Sequence, residues 1–374
     1  MSINETPRGE RLHIGIFGRR NAGKSSLLNA ITGQDAAMVS PVKGTTTDPV
    51  YKAMELLPIG PVVLIDTPGI DDDSELGNLR IQKTKSILRK TDIAVLVVGS
   101  CEGEGDYERE IIRAFDEYSV KYFIVRNDFT PFNVQEIKEK IAALGEEPDV
   151  LRRPVSDLLE SGDVVVLVIP IDEAAPKGRL ILPQQQVIRD ILDAEAVPVL
   201  TGIKDLSGTF EKLKEQPKLV ITDSQVFAEA AKLTPGEIGL TSFSILMARY
   251  KGVLEDAVHG AGFIDKLKDG DKILIAEGCT HHRQCEDIGT VKIPRMLKQR
   301  TGFNFNYEFS SGGGFPEDLT GFNLIIHCGG CMQNQREMRF RNSAAREAGV
   351  PITNYGIAIS YMQGILERSN PVIQ

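Results

Sequence analysis

The stretch Gly18-Arg19-Arg20-Asn21-Ala22-Gly23-Lys24-Ser25 decides how the first part of the chain folds. It ends the apolar run 11–18 and leads into the helix-forming run 24–31, which predicts a strand, a loop and a helix in succession. Glycines let such a loop wrap around phosphates, and the free amides at the start of the helix attract negative charge. The spacing G-x-x-x-x-G-K-S in this context therefore predicts a nucleotide phosphate site.

The side chains of this loop have roles that follow from phosphate chemistry. The Lys24 ammonium is expected to reach the β- and γ-phosphates, and the Ser25 hydroxyl is expected to bind Mg²⁺. The remaining contacts of the loop with the nucleotide are expected from its neighbours, which are Gly18, Asn21, Ala22, Gly23 and Ser26. The first part of the chain is therefore expected to bind a nucleotide together with Mg²⁺.

A second element of such a site follows the predicted strand 62–65. In Asp66-Thr67-Pro68-Gly69 the carboxylate can bind Mg²⁺, and the Gly69 amide can donate to the γ-phosphate. Between the two motifs lies Gly44-Thr45-Thr46-Thr47-Asp48, where a threonine hydroxyl can complete the Mg²⁺ shell, although these threonines taken alone also fit a polar turn. Further nucleotide contacts are expected from Thr45, Thr46, Thr67 and Pro68, and the expected catalytic set is Lys24, Thr46, Asp66 and Gly69.

These motifs resemble those of the translation-factor-like GTPases, most closely the branch that carries Gly-Thr-Thr-x-Asp and Asn-Ala-Gly-Lys-Ser. In that branch the loop asparagine, here Asn21, is associated with a K⁺ ion that supplies positive charge in the transition state. Ile70 follows Gly69 in place of the water-orienting glutamine of Ras-like switches. The resemblance therefore implies GTP hydrolysis that is slow and stimulated by K⁺.

The guanine-reading element departs from the pattern of that family. After the predicted strand 122–125 the family pattern is Asn-Lys-x-Asp, whereas this chain has Asn127-Asp128-Phe129-Thr130. Asn127 is expected to contact the nucleotide, and the later Ser-Ala element is represented only by Val155-Ser156-Asp157. The other switch elements favour GTP over ATP, but the tightness of guanine recognition stays open.

Strands and helices alternate along the chain, with another apolar strand expected at 93–98. Such alternation predicts an α/β fold with a parallel sheet covered by helices on both faces. We predict three domains: a Ras/Era-like GTP-binding domain at 1–170, a small α/β domain at 171–265 and another α/β domain at 266–374. The middle domain carries no ligand constellation, which favours a structural role such as dimerisation over catalysis.

Two groups of soft-metal ligands lie in the last domain. Cys279-Thr280-His281 follows the predicted strand 272–276, and His327-Cys328-Gly329-Gly330-Cys331 completes and follows the predicted strand 323–327. Open α/β sheets bind their ligands at these carboxyl ends. Three cysteines and two histidines fit either tetrahedral Zn²⁺ or an iron–sulfur cluster, and the spacing alone does not decide between them. The glycine pair can donate amides to sulfur, which favours a cluster slightly.

The fourth ligand of this metal site is open on the residues alone. Its candidates are His281, His327 and Glu286, because each lies close in sequence to a ligating cysteine. Cys285 is a further thiol nearby. Cys101 lies far away in sequence and is expected to be an ordinary thiol.

Composition limits the class of protein. The chain has 374 residues, 41% hydrophobic and 25% charged, with a net charge of −9. A negative balance argues against broad binding of nucleic acid or anionic membranes. No apolar run approaches the roughly 20 residues that span a bilayer, and the N-terminus lacks a signal-peptide pattern. We therefore expect a cytoplasmic protein, in which five cysteines indicate metal binding or catalysis rather than disulfides.

With both sites in view, the chain resembles the HydF family of FeFe-hydrogenase maturation GTPases. The resemblance covers nearly the whole length and rests on Cys-x-His followed about 45 residues later by His-Cys-x-x-Cys, on one chain with the GTPase motifs. It implies a dimerising middle domain and a 4Fe–4S cluster held by Cys279, Cys328 and Cys331. It implies an exchangeable fourth ligand that is a histidine or a carboxylate, with Glu286, preferred to Cys285, at the carboxylate position.

The same resemblance implies a scaffold role. The protein is expected to receive a di-iron precursor from radical-SAM maturases and to deliver it to apo-FeFe-hydrogenase, with GTP gating these interactions. The alternative is a ribosome- or RNA-associated GTPase of the same branch with a structural zinc site. A redox enzyme is a third interpretation, which is less natural because electron carriers usually have closed four-cysteine ligation.

Overall fold

The computed structural model describes residues 8–33, 49–67, 84–99, 105–128, 131–145, 153–171, 180–278, 287–312 and 314–369. They belong to two compact units, Met1–Val150 and Leu151–Gln374. Within the described ranges, no helix is both long and apolar enough to cross a membrane.

The first unit is built on a five-stranded sheet. Its strands are β1 (Leu12–Phe17), β2 (Val50–Leu56), β3 (Gly60–Asp66), β4 (Ile93–Gly99) and β5 (Lys121–Asn127). Its helices are α1 (Lys24–Thr32), α2 (84–88), α3 (Asp106–Glu117) and α4 (Val134–Gly145). The strand order is β2-β3-β1-β4-β5, with β2 antiparallel to β3 and all other pairs parallel.

The inner strand β4 shows why this sheet is covered on both faces. Its residues are apolar without alternation, as expected for a parallel strand between two helical layers. Val95 packs in the cluster that contains Leu27 of α1, whereas Leu96 packs in the cluster that contains Phe115 of α3. The predicted parallel sheet is therefore confirmed. The antiparallel edge strand β2 was not foreseen.

The second unit contains two four-stranded parallel sheets. Its strands are β6 (Val164–Val168), β7 (Val197–Thr201), β8 (Leu219–Thr222), β9 (Gly239–Ser242), β10 (Lys272–Glu277), β11 (Asn306–Ser311), β12 (Leu324–His327) and β13 (Ile352–Asn354). The orders are β7-β6-β8-β9 and β11-β10-β12-β13. Its helices are α5 (Leu182–Asp193), α6 (Leu206–Lys212), α7 (Phe227–Leu233), α8 (Phe243–Lys251), α9 (Leu254–Ala261), α10 (Ile293–Thr301), α11 (Gln335–Glu347), α12 (Tyr355–Met362) and α13 (Leu366–Ser369).

Polar caps start the helices that border the later strands. The side chains of Ser242, Asn334 and Asn354 each accept a hydrogen bond from an amide in the first turn of α8, α11 and α12. Such caps satisfy amides that the helix itself leaves free. Ser242 and Asn354 are also the last residues of β9 and β13, so these two strands pass directly into their helices at the carboxyl edge of the sheet.

The two sheets of this unit share one core. The cluster that contains Val166 of β6 and Ile221 of β8 also contains Met338 of α11 and Ile357 of α12. Side chains on both sides of the predicted boundary at residue 265 therefore pack together.

The predicted end of the first domain at residue 170 was wrong. β6 pairs in parallel with β7 and with β8, so it is an inner strand of the second unit. The division falls at residue 150 instead. An apolar run such as 164–168 fits the interior of any parallel sheet, and its partners are decided only by tertiary packing. The predicted division near 265 separates the two four-stranded sheets.

This boundary has a direct test by truncation. We expect a fragment 151–374 to unfold in one cooperative thermal transition followed by circular dichroism. A fragment 171–374 lacks β6, so β7 and β8 lose their common partner, and we expect it to show no cooperative transition. Equal cooperativity of the two fragments would contradict the assignment of β6.

Candidate nucleotide and metal sites

The phosphate loop has the backbone that its sequence predicts. Gly23 has φ of 101°, and a Cβ at this position would lie 2.4 Å from the Asn127 side-chain nitrogen. Only glycine meets both conditions without strain. Asn21 has φ of 62°, a left-handed conformation that asparagine adopts more readily than most residues. The loop is therefore shaped by its own residues and by the asparagine at the end of β5.

Lys24 begins α1 and is buried. Its Nζ donates to the carbonyl oxygen of Gly18 at 2.8 Å and to that of Arg19 at 2.6 Å. The ammonium thus lies inside the curve of the phosphate loop. This is the position from which a lysine can reach the phosphates of a nucleotide.

Ser25 and Asp66 are in contact at the edge where β1 and β3 end. The Ser25 hydroxyl donates to Asp66 Oδ2 at 2.7 Å, although the two residues stand 41 positions apart. Parallel pairing of β1 with β3 brings them together, because the two strands end at the same edge. The two residues predicted to bind Mg²⁺ are therefore neighbours.

The Asp66 carboxylate has the character of a cation ligand. Burial raises its pKa above the usual 3.8, while the Ser25 hydrogen bond and the Lys24 charge oppose that rise. Its Oδ1 is buried and has no hydrogen-bond partner among the described residues. A buried carboxylate oxygen is a ligand that Mg²⁺ prefers, so these residues fit the ion.

Asn127 contacts the phosphate loop, whereas the Thr67 side chain contacts β1. Asn127 Nδ2 donates to the Ala22 carbonyl oxygen at 3.0 Å, which ties the end of β5 to the phosphate loop. The Thr67 hydroxyl instead donates to the Ile16 carbonyl oxygen at 2.7 Å, and the residue is buried. Thr67 therefore holds the end of β3 against β1. Ser26 is exposed on α1.

The segment around Ser156 belongs elsewhere. Its backbone amide and hydroxyl both donate to the Asp190 carboxylate of α5, at 2.7 and 2.8 Å. These contacts lie within the second unit. The weak match of Val155-Ser156-Asp157 to a guanine-reading element stays a prediction.

An ion pair that the sequence did not indicate anchors the phosphate loop. Arg19 donates through Nε and Nη2 to the two carboxylate oxygens of Glu108, at 2.9 and 3.0 Å. Glu108 is buried and also accepts from the Gly105 amide at 2.9 Å. This fork-to-fork geometry is among the stronger charged hydrogen bonds. No local sequence pattern predicts this ion pair, because its partners are 89 positions apart.

Several predicted site residues lie outside the described ranges and stay predictions. In the nucleotide site they are Thr45, Thr46, Pro68 and Gly69. In the metal site they are Cys279, His281 and Glu286.

Of the predicted metal site, the structure describes the segment 328–334, which we name the cysteine loop. Cys328 Sγ accepts the Gly278 amide at 2.9 Å and the Gly330 amide at 3.4 Å. Because β10 and β12 are parallel neighbours, Gly278 and Cys328 lie at the same sheet edge. Amide hydrogen bonds to sulfur favour the thiolate, so the donor set fits a thiolate-ligated metal. Cys331 follows in the same loop and is half-buried.

His327 was predicted as a candidate ligand, and the structure contradicts this. Its Nδ1 lies 2.6 Å from the Cys328 carbonyl oxygen, and its Nε2 lies 2.8 Å from Nη1 of Arg341. Burial, together with the Arg341 charge, lowers the pKa of His327 to about 3. The imidazole is therefore neutral with both nitrogens engaged, and it is removed from the ligand candidates.

Arg341 is the partner that sequence reasoning missed. It is buried beside Glu337, with Nη2 to Oε1 at 2.7 Å, and it donates to the Gly312 carbonyl oxygen at 2.8 Å. Its guanidinium carbon lies 4.9 Å from the centre of the Phe315 ring. The only local signal was the i, i+4 spacing of Glu337 and Arg341. Their burial follows from packing.

Within the described part of the chain, no three His, Cys, Asp or Glu side chains form a metal-binding group. Two of the three predicted cysteine ligands are described there, and the third precedes residue 287 in an undescribed segment.

Comparison with known families agrees with this architecture. Residues 13–128 match the model described as 50S ribosome-binding GTPase. Residues 155–252 match the hydrogen maturase F dimerization domain, and residues 255–372 match the hydrogen maturase F tetramerization domain. The last two matches together cover more than half of the chain. The chain belongs to the HydF family. Its first 150 residues contain a GTPase domain, and the dimerization match includes β6, in agreement with the corrected boundary.

Curated GTPases are similar to parts of this HydF-family chain. GTPase Der of Wolinella succinogenes is 33% identical over 144 residues, which is 37% of this chain and 30% of Der. GTPase Era of Rippkaea orientalis is 30% identical over 251 residues, 61% of this chain and 75% of Era. The tRNA modification GTPase MnmE of Roseiflexus is 41% identical over 103 residues, 27% of this chain and 22% of MnmE. The chain thus spans under a third of Der and MnmE.

A solved structure of Era from Aquifex aeolicus bound to GDP·AlF4⁻ aligns with 90% of this chain and 98% of its own. The sequence identity is 17% and the TM-score is 0.27.

The buried pair of Arg341 and Glu337 makes a testable contribution to stability. We expect Arg341→Met to lower the free energy of unfolding by about 3–5 kcal/mol, because it leaves the Glu337 carboxylate buried without its partner. Urea denaturation followed by circular dichroism measures the effect.

The same helix offers a matched control. Arg346 forms an exposed pair with Asp256 at 2.6 Å, so Arg346→Met is expected to cost less than about 1 kcal/mol. Replacing Arg341 and Glu337 together by Met is expected to recover much of the loss. A double variant as unstable as Arg341→Met alone would contradict this account.

Proposed function

We propose that this protein is a GTP-hydrolysing scaffold of FeFe-hydrogenase maturation that carries a 4Fe–4S cluster in its third predicted domain. The observation that carries the proposal is the pair of amide hydrogen bonds to Cys328 at the edge where β10 and β12 end. Gly278, which donates one of them, immediately precedes Cys279. Membership of the HydF family supports the same assignment.

The GTPase unit supplies the switch. Lys24 neutralises the β- and γ-phosphates, while Ser25 and Asp66 hold Mg²⁺, with Thr46 and the Gly69 amide completing the set. Arg19 and Glu108 hold the loop in place while the nucleotide exchanges. Asn21 is the residue through which K⁺ acts, and hydrolysis is slow without that cation.

The cluster is held by the thiolates of Cys279, Cys328 and Cys331. When bound, it supplies an iron with one exchangeable position, which Glu286, His281 or an outside group fills. The chain's own residues fix the sulfur atoms: Gly278 and Gly330 donate to Cys328, and His327 ties the end of β12 to Arg341. Two thiolates on one short loop leave room for a ligand from another segment.

The di-iron precursor is the cargo of this scaffold. Radical-SAM maturases load it beside the exchangeable position, and apo-hydrogenase receives it. GTP binding orders the switch segments near Thr46 and Asp66 and thereby changes which partner binds. The dimerization and tetramerization families matched by the second unit support a homo-oligomeric scaffold.

Removal of the phosphate-loop ammonium tests the switch. We expect Lys24→Ala to weaken Mg²⁺–GTP binding roughly 10- to 100-fold, because each hydrogen bond to a charged group contributes about 1.5–3 kcal/mol. Titration calorimetry measures the affinity. The control is Lys140→Ala, which removes an exposed lysine paired with Glu136 on α4.

Two further measurements separate binding, K⁺ and gating. GTP hydrolysis is expected to be faster in KCl than in NaCl, and Asn21→Ala is expected to remove that difference. Hydrogenase maturation at the wild-type rate by Lys24→Ala protein would rule out gating by nucleotide.

Anaerobic reconstitution with iron and sulfide tests the cluster. Wild-type protein is expected to show broad visible absorption and an EPR signal after reduction, and Cys328→Ser is expected to lose both together with maturation activity. Cys101→Ser is the control and is expected to keep them. A colourless protein holding tight zinc would replace the scaffold with a structural metal site.

A further inference from the structure

A buried lysine of α8, the helix that follows β9, contacts the cysteine loop. Lys251 is the last residue of α8, and only 1% of its surface is exposed. Its Nζ donates to the carbonyl oxygen of Gly330 and, at 2.7 Å, to that of Gln333. A buried ammonium is costly unless it is well hydrogen-bonded, so its place under this loop calls for an explanation.

Both acceptors of Lys251 lead directly to Cys328. Gly330 gives its carbonyl to Lys251 and its amide to Cys328 Sγ. Gln333 gives its carbonyl to Lys251, while its Nε2 donates at 2.7 Å to the carbonyl oxygen of Gly278. Gly278 in turn donates its amide to Cys328 Sγ. Each described amide hydrogen bond to this sulfur therefore comes from a residue held, directly or through Gln333, by one ammonium.

Gly330 in this loop is also constrained by its own backbone conformation and by its packing. Gly330 has φ of 61°, and a Cβ there would lie 2.5 Å from the Met338 sulfur. The backbone conformation of Gly330 and the hydrogen bond from Lys251 thus constrain the same residue, whose amide donates to Cys328.

We propose that Lys251 is the positioning residue of the cluster site: it orients Gly330 and, through Gln333, Gly278, whose amides donate to Cys328, and it places a positive charge against the cysteine loop that would hold the cluster. Reduction adds negative charge to an iron–sulfur cluster, and both amide hydrogen bonds and nearby positive charge raise its reduction potential. Lys251 lies in the dimerization-domain match and the loop in the tetramerization-domain match, so the contact links the two. The inference rests on the proposed function, because it concerns the same cluster.

The test compares wild-type full-length protein with Lys251→Met after anaerobic reconstitution. We expect Lys251→Met to bind iron roughly 10- to 100-fold more weakly in competition with a chelator, the usual range for loss of a residue that orients a metal ligand. Its cluster is expected to show a more negative midpoint potential in an EPR-monitored redox titration. Lys251→Arg keeps the charge and the donors and is expected to restore the potential. Lys251→Gln keeps a donor without charge and is expected to retain the negative shift.

A matched control separates positioning from general support. Arg368 also donates to carbonyl oxygens across the two matched domains, those of Ala231, Thr234 and Pro235, but it does so away from the cysteine loop. Arg368→Met is expected to lower the melting temperature while leaving iron retention and midpoint potential unchanged. If Lys251→Met behaves like Arg368→Met, Lys251 is only structural and the proposal is overturned.

A readout without cluster covers the case in which Lys251→Met folds poorly. Hydrogen exchange of the cysteine loop in cluster-free protein is expected to be slow in wild type and fast in Lys251→Ala, which removes every side-chain donor at this position, with the rest of the unit unchanged. Unchanged exchange in this loop overturns the positioning role. Wild-type protein that takes up no cluster overturns the proposed function itself, which is a distinct result.

Discussion

Neighbouring parallel strands end at the same edge of their sheet, and both sites of this protein depend on that constraint. Pairing of β1 with β3 brings Ser25 within hydrogen-bond distance of Asp66. Pairing of β10 with β12 brings Gly278 onto Cys328. In each case a residue at or just beyond the end of one strand contacts a residue at or just beyond the end of its neighbour. The same topological rule thus brings oxygen donors together at one sheet edge and places a thiol beside amide donors at another.

The surroundings of the two sites tune them in different ways. Burial raises the pKa of Asp66, and one of its carboxylate oxygens has no hydrogen-bond partner among the described residues, an arrangement that suits a cation ligand. Cys328 instead has amide donors in place, which suits a metal group that stays bound. Buried cationic side chains contact both candidate sites. Lys24 donates within the phosphate loop, Lys251 donates to the cysteine loop, and Arg341 is hydrogen-bonded to His327. The two candidate sites therefore differ in how many hydrogen bonds the protein donates to the proposed ligand atom.

How far the sequence predicted the structure depended on the range of each interaction. The phosphate loop and its flanking strand and helix were predictable, because Gly23, Lys24 and Ser25 act within a few residues. The end of the first domain was not, since the run 164–168 is equally apolar in either sheet and only pairing with β7 and β8 decides. His327 was misread for a related reason. Its place beside Cys328 suggested a metal ligand, but its Nε2 is hydrogen-bonded to a buried arginine 14 positions away.

The sequence by itself determined the chemistry available to this protein: a phosphate loop with lysine and serine, a carboxylate after β3, and thiols with glycines after β10 and β12. These follow from residue type and short spacing, which packing does not alter. Tertiary structure alone decided which groups support them. Arg19 with Glu108, Arg341 with His327, and Lys251 with the cysteine loop are joined over 89, 14 and up to 82 positions. Contacts at such distances are set by the packing of sheets and helices, because no local periodicity records which distant side chain fills a buried position.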